Sequence, residues 1–206
     1  MATKIDFPPN SVGLIVRGKQ NDTHSPGLME QHADCILASG GPVGFFGGEG
    51  DGSSGNSSSG GGSSSVSWNR SGLNMKGFVA YYPDYQRIRP FYVNIDQARK
   101  FKAVSTAIIV QVTSEQAQIF AQTWKNMKLS PGTFNILGGN CSTHASIAFV
   151  EAKILSGGIP GLDTPNNLYE QLKNKKKPKY QIYSGYFGFK PNGFSGYDIY
   201  VEPAAK

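Results

Sequence analysis

Short apolar runs separated by glycine, proline and small polar residues recur along this chain and predict β-strands. The predicted strands are 12–17, 32–38, 43–46, 77–82 and 103–112. The last of these is almost continuously apolar, which is typical of a strand in the middle of a sheet. Aromatic residues from Tyr180 to Val201, interrupted by Pro191-Asn192-Gly193, predict a β-hairpin near the end of the sequence.

Three later segments have the 3.6-residue apolar period of helices that face a core. The first begins after Thr113 at capping-box spacing, the second runs from Cys141 to about Leu155, and the third begins at Pro165. Their inward stripes are expected to contain Ile119, Phe120, Trp124, Met127, Ala145, Ala148, Phe149, Ala152, Leu168, Tyr169 and Leu172. Strands, three helices and further strands in that order indicate an α+β fold.

The length of 206 residues suits a single domain, 1–206, with a substantial core. Residues 47–65 are almost wholly glycine and serine, apart from Glu49, Asp51 and Asn56, and predict a flexible insertion, whether natural or engineered. Hydrophobic residues at 38% and aromatic residues at 12% exclude wholesale disorder.

No apolar run approaches the length of a membrane span, and residues 1–9 lack the apolar core of a signal peptide. We therefore expect a protein made in the cytoplasm without a cleavable leader, whose export would need a specialised secretion system. The net charge of +6 owes much to a lysine cluster at 173–179. That cluster is either the solvated end of a helix or a surface for an anionic partner of the cell envelope. We expect neither a nucleic acid nor a cofactor.

Cys141 carries the strongest chemical signal, because it is predicted to lie at a helix N-terminus. Gly138, Gly139 and Asn140 precede it, and these residue types favour a sharp turn followed by an N-cap. Unpaired N–H groups and the positive end of the helix dipole favour a thiolate there and can also bind an oxyanion. The alternative is a small buried hydrophobic residue without reactivity.

A cysteine nucleophile needs a base, and the chain has three histidines. His32 opens a predicted strand and is our preferred base, because a strand histidine can face a helix N-terminus. His144 lies on the Cys141 helix itself, where in-line proton transfer is geometrically poor, and His24 lies in a polar loop. Cys35 could form a disulfide with Cys141, or join these histidines in a zinc site, although no paired Cys-x-x-Cys spacing occurs.

A histidine that leads an early strand, followed much later by Asn140-Cys141 at a helix start, resembles the circularly permuted papain-like hydrolases. These include relatives of NlpC-type peptidases and of lecithin retinol acyltransferase. The resemblance covers residues 12–155. It implies a permuted papain-like fold, in which an antiparallel sheet packs against the Cys-bearing helix and two further helices. It also implies Cys141 as nucleophile, His32 as base and the Cys141 N–H as an oxyanion donor, with Gly139, Asn140 and His144 beside the site.

The family also has a third, polar residue on the strand after the histidine strand, where it orients the imidazole. This sequence departs from that pattern, since residues 43–46 there are Val-Gly-Phe-Phe. Glu49, Asp51, Asp84 or a backbone carbonyl are the candidates for that role.

The resemblance further implies attack on an amide or ester acyl carbon through a thioester. The expected substrate is a cell-wall peptide, cleaved by an exported bacterial effector with its own immunity or delivery protein. A lipid acyl hydrolase or acyltransferase is the alternative with the same chemistry. A protein that binds without catalysis, through its aromatic hairpin, is the alternative from another class.

Overall fold

The computed structural model describes residues 1–27, 31–48, 74–135, 140–157, 164–175, 179–193 and 195–204. The described part has an α+β architecture, with an antiparallel sheet of nine strands and five α-helices. Three residues of the predicted site, Gly139, Glu49 and Asp51, lie outside the described residues. So do residues 49–65 of the predicted glycine- and serine-rich insertion.

The sheet is built from strands that lie mostly far apart in sequence. Its strands are β1 (Thr3–Lys4), β2 (Ser11–Arg17), β3 (His32–Ile36), β4 (Pro42–Gly47), β5 (Asn74–Tyr81), β6 (Ser105–Gln111), β7 (Thr133–Asn135), β8 (Tyr180–Asn192) and β9 (Gly196–Glu202). They lie in the order β1-β9-β8-β6-β2-β3-β4-β5-β7. The predicted strands and the hairpin are all confirmed. The strands β1 and β7 were not predicted, because they are too short to show a period in the sequence.

Five helices cover the two faces of the sheet in the described part of the chain. They are α1 (Tyr82–Ile88), α2 (Ile95–Lys100), α3 (Ser114–Leu129), α4 (Cys141–Glu151) and α5 (Pro165–Lys173). The last three confirm the predicted helices, but α1 and α2 correct the expectation of only two helices besides the Cys-bearing one. Both are at most seven residues long, too short for a clear helical period. Within the described ranges, no helix has the length and apolarity needed to cross a membrane.

The predicted helix starts have the expected caps. The side chain of Thr113 accepts a hydrogen bond from the Gln116 N–H at 3.1 Å, and the Gln116 side chain accepts one from the Thr113 N–H at the same distance. The side chain of Thr164 accepts from the N–H of Asn167 at 3.1 Å. Each cap satisfies an N–H group that the first turn of a helix leaves unpaired.

The sheet separates two hydrophobic cores because alternate side chains of a strand point to opposite faces. On the α3–α4–α5 face, Ala33 and Cys35 of β3 pack with Cys141. On the other face, Ile36 packs with Phe46, Tyr85 and Tyr92, which come from β4, α1 and the short 3₁₀ helix Pro90–Tyr92. By the same alternation, His32 and Asp34 lie on the second face. Cys141 and His32 therefore approach each other from opposite faces of the sheet, at the start of β3.

Candidate active site

Cys141 is the first residue of α4, as the sequence predicts, and Asn140 is its N-cap. The Asn140 side-chain oxygen accepts hydrogen bonds from the Thr143 N–H at 3.0 Å and from the Ser142 hydroxyl at 2.7 Å. Cys141 is 7% exposed, and its Sγ accepts a hydrogen bond from the Ala33 N–H at 3.4 Å. The start of α4 is thereby held against the start of β3.

His32, the first residue of β3, contacts both Cys141 and a carboxylate. Its Nε2 lies 2.8 Å from Oδ1 of Asp34. The Cys141 Sγ is hydrogen-bonded to the N–H of Ala33, the residue after His32, and the charge of the His32 ring acts on the thiol. An ionised carboxylate only accepts hydrogen bonds, so Nε2 carries a proton and Nδ1 is the nitrogen left for the thiol. The imidazole therefore lies between the thiol and the carboxylate.

Aromatic side chains on the second face hold the plane of the His32 ring. The ring stacks on Phe46 with a centroid distance of 4.3 Å and on Tyr92 with 5.9 Å. Only 16% of the His32 side chain is exposed. The imidazole thus has a defined orientation in the absence of a bound substrate.

Asp34 is fully buried and accepts hydrogen bonds from three side chains. Besides His32, the hydroxyl of Tyr85 donates to Oδ1 at 2.6 Å and Nε of Arg17 donates to Oδ2 at 2.7 Å. Gly44 on the adjacent strand makes this possible, because a Cβ there would overlap both the Asp34 carboxylate and the Tyr85 hydroxyl. The carboxylate occupies the space that a side chain on the next strand would need.

The charges of the site shift its pKa values in complementary directions. Burial raises the pKa of Cys141, but the His32 cation and its hydrogen bond outweigh burial and leave the pKa below its ordinary value. Burial lowers the pKa of His32, yet the charges of Cys141 and Asp34 together raise it to about 9. Burial raises the pKa of Asp34, whereas His32 and Arg17 hold it well below the usual range. These directions favour the pair of thiolate and imidazolium beside an ionised carboxylate.

The other candidates from the sequence lie elsewhere or have other contacts. Asp84 accepts a hydrogen bond from the Tyr81 N–H at 2.9 Å, at the start of α1. It also lies 4.0 Å from Arg87 and 3.9 Å from Lys128, so its partners are not those of His32.

His144 is turned toward backbone rather than toward the thiol. Its Nδ1 lies 3.0 Å from the carbonyl oxygen of Asn140, and its ring stacks on Phe45 with a centroid distance of 3.4 Å. Burial lowers the pKa of His144, which favours a neutral ring. We therefore assign it a role in packing the start of α4.

Sequence reasoning missed Asp34, Arg17 and Tyr85 as members of the site. For Asp34 a signal was present, since residues two apart on a strand share a face and His32 and Asp34 are so spaced. For Arg17 and Tyr85 there was none, because their contacts depend on the β2–β3 register and on where α1 packs.

The structure also bears on the disulfide, zinc and binding-surface alternatives. Cys35 and Cys141 are both free thiols. Among the described residues, no group of three or more His, Cys, Asp or Glu side chains could hold a metal ion. Against a shared zinc site, Cys35 and His32 point to opposite faces of β3. Against a binding surface on the hairpin, its Phe187 and Phe189 side chains are buried in the second core. A surface cavity of about 560 Å³, between α1, α2 and the hairpin, is lined by neither His32 nor Cys141.

No family model, curated protein or solved structure matches the chain.

Proposed function

We propose that this chain is a cysteine hydrolase that cleaves an amide or ester bond through a thioester intermediate, in the manner of the permuted papain-like enzymes. One observation carries the proposal: His32 lies between the Cys141 thiol, whose pKa its charge lowers, and the buried Asp34 carboxylate, which lies 2.8 Å from its Nε2. A nucleophile in contact with a base, and a base oriented by a third group, is the arrangement that activates a thiol.

The reaction begins when the Cys141 thiolate attacks the acyl carbon, whose carbonyl oxygen becomes an oxyanion. The backbone N–H of Cys141 lies in the first turn of α4 and supplies one donor to that oxyanion. The His32 imidazolium gives its Nδ1 proton to the leaving amine or alcohol, and a thioester remains. His32 then takes a proton from water, the resulting hydroxide attacks the thioester, and the thiolate is released with the acid.

Asp34 supports both halves of this cycle by holding the imidazole in one orientation and one tautomer. Its bonds to Tyr85 and Arg17 keep the carboxylate in place while His32 gains and loses a proton. Asp34 itself stays ionised, since its pKa lies well below the usual range. It is therefore a positioning residue.

Site-resolved alkylation of the two cysteines tests the activated thiol, with Cys35 as an internal control. Burial raises the pKa of Cys35 well above its ordinary value, so native protein should leave it unlabelled. We expect iodoacetamide to label Cys141 near neutral pH, and His32→Ala to move the midpoint of labelling to higher pH. Wild-type protein in which Cys141 is as inert as Cys35 would overturn the proposal.

The pH dependence of turnover follows from the same two groups. Activity should rise as Cys141 ionises through its lowered pKa and should fall near pH 9, where the imidazolium needed to protonate the leaving group is lost. Alkylation needs only the thiolate and should not fall there. A turnover profile that keeps rising above pH 9 would contradict His32 as the acid.

For the substrate we propose a cell-wall peptide amide, following the resemblance to NlpC-type peptidases. Purified peptidoglycan and acyl-ester lipid vesicles should be compared, with Cys141→Ala as the control for both. New amino groups released from peptidoglycan support the amide assignment. Free fatty acid released only from the vesicles would replace it with the lipid alternative.

A further inference from the structure

Arg17 is the least expected member of the site, because a cation there is enclosed by the protein. It is the last residue of β2 and is paired directly with His32 in the β2–β3 register. Only 4% of its side chain is exposed. Burying an ion without a partner costs several kcal/mol, so the position of Arg17 calls for a compensating interaction.

The contacts of Arg17 concentrate on one carboxylate and one aromatic ring. Nε donates to Oδ2 of Asp34 at 2.7 Å, and the guanidinium carbon lies 4.4 Å from the centre of the Tyr92 ring. Nη2 is buried and has no hydrogen-bond partner in the described part of the chain. The guanidinium is thus placed to compensate the charge of Asp34 rather than to bind many groups.

Four charges meet at the start of β3 when the thiol is active. Arg17 and His32 are cationic, while Asp34 and Cys141 are anionic, so the total is zero. The charge of Asp34 by itself opposes a thiolate and raises the pKa of Cys141. Without Arg17, the imidazolium would face two anions, the Asp34 carboxylate and the Cys141 thiolate. The charge of Asp34 would then act on the thiol without compensation and would favour its protonated form.

We propose that Arg17 is a positioning residue that neutralises Asp34, so that the His32 imidazolium remains the counter-ion of the Cys141 thiolate. This inference rests on the proposed hydrolase function and adds the group that permits a carboxylate orienter beside a thiolate. An asparagine orienter would need no such cation. The arginine is matched to the carboxylate by charge and, through Nε, by direction.

The pH midpoint of Cys141 alkylation in Arg17→Met and Arg17→Lys tests the proposal. A neighbouring charge shifts a pKa by about 1 to 3 units, and Arg17 acts on the thiol through Asp34. We therefore expect Arg17→Met to raise the midpoint by about one pH unit, a tenfold loss of thiolate at a fixed pH below both midpoints. Arg17→Lys keeps the charge and should restore most of the loss.

The double variant Arg17→Met/Asp34→Asn separates charge balance from a merely structural role. It removes one cation and one anion, so the remaining His32–Cys141 pair is again neutral. Its labelling midpoint should return toward the wild-type value, although turnover stays low because the imidazole is no longer oriented. Lys19→Met, which removes a buried cation outside the site, is the matched control and should leave the midpoint unchanged.

The outcomes distinguish this inference from the hydrolase proposal. A wild-type midpoint like that of an ordinary cysteine overturns both. A low wild-type midpoint that Arg17→Met leaves unchanged overturns only the role of Arg17. So does a midpoint that Arg17→Lys raises as far as Arg17→Met does. Circular dichroism checks folding, and if Arg17→Met alone does not fold, a raised midpoint in the double variant overturns the role.

Discussion

Two basic side chains near the end of β2 are equally buried and have different roles. Arg17 is 4% exposed and Lys19, two residues later, is 0% exposed. Arg17 donates to the Asp34 carboxylate, which in turn holds His32. Lys19 donates through Nζ to the carbonyl oxygen of His24 and, at 2.9 Å, to the side-chain oxygen of Asn166. One cation belongs to a series of groups that ends at the Cys141 thiol, and the other holds a loop against α5.

The hydrogen bonds around Lys19 hold the loop of residues 19–24 against α5, and we call this loop and its partners on α5 the structural region. Asp22, from the same loop, accepts hydrogen bonds at 2.8 Å from the Tyr169 hydroxyl and from Nζ of Lys173. Burial is the main reason that the pKa of Lys19 is lowered, and the lysine faces mostly neutral oxygen atoms. The comparison shows that a buried charge alone does not indicate catalysis. What distinguishes Arg17 is the titrating group, His32, that lies between its carboxylate partner and Cys141.

Part of the lysine cluster at 173–179 belongs to the structural region. Lys173 pairs with Asp22, and Lys175 donates to the Ile154 carbonyl at 2.7 Å. Residues 176–178 lie outside the described residues.

Asp34→Asn should have the largest effect on stability, because it leaves the buried Arg17 guanidinium without its anion. Breaking a buried ion pair costs about 3–5 kcal/mol, and a loss of that size in the free energy of unfolding is expected from urea titration. Asp22→Asn, which alters a partly exposed carboxylate of the structural region, is the control. Equal losses in the two variants would erase the distinction between the regions.

Gly44→Ala should disturb the candidate active site alone. The added methyl group overlaps the Asp34 carboxylate and the Tyr85 hydroxyl, and overpacking of this kind costs about 1–3 kcal/mol. Labelling of Cys141 should also slow, since Asp34 must shift.

The matched control for this change is Gly193→Ala, where the new methyl group meets no atom of the described residues within 4 Å. Thermal unfolding and alkylation should leave that variant at wild-type values. Wild-type stability and labelling in Gly44→Ala would show that the Asp34 carboxylate can shift without loss.

Lys19→Met should destabilise the protein by about 1–3 kcal/mol, because the Asn166 and His24 oxygen atoms lose a buried donor. Urea titration measures this loss. The labelling midpoint of Cys141 should stay unchanged. A shift in that midpoint would connect the two regions electrostatically.

Lys173→Met should have the smallest effect, below about 1 kcal/mol, since its side chain is 27% exposed and that of Asp22 is 38% exposed. The loss should shrink further in 1 M salt, where exposed charges are screened. A loss above 2 kcal/mol that salt leaves unaltered would place this pair among the buried interactions.

Local patterns predicted the long elements because their signals are local. The apolar run of β6, the caps of α3, α4 and α5, and the placement of Cys141 at a helix start all depend on residues within a few positions of one another. The short helices α1 and α2 escaped prediction for the same reason, since their apolar side chains form too few turns to show a period.

The sequence by itself determined that a cysteine opens a helix and that a histidine opens a strand, because capping and alternation are properties of neighbouring residues. It also carried the His32–Asp34 spacing. Only the tertiary structure decided that Arg17 lies opposite His32, that Tyr85 reaches Asp34 and that Gly44 leaves room for the carboxylate. Those contacts join residues up to 51 positions apart, and strand register and helix packing, which no local pattern encodes, bring them together.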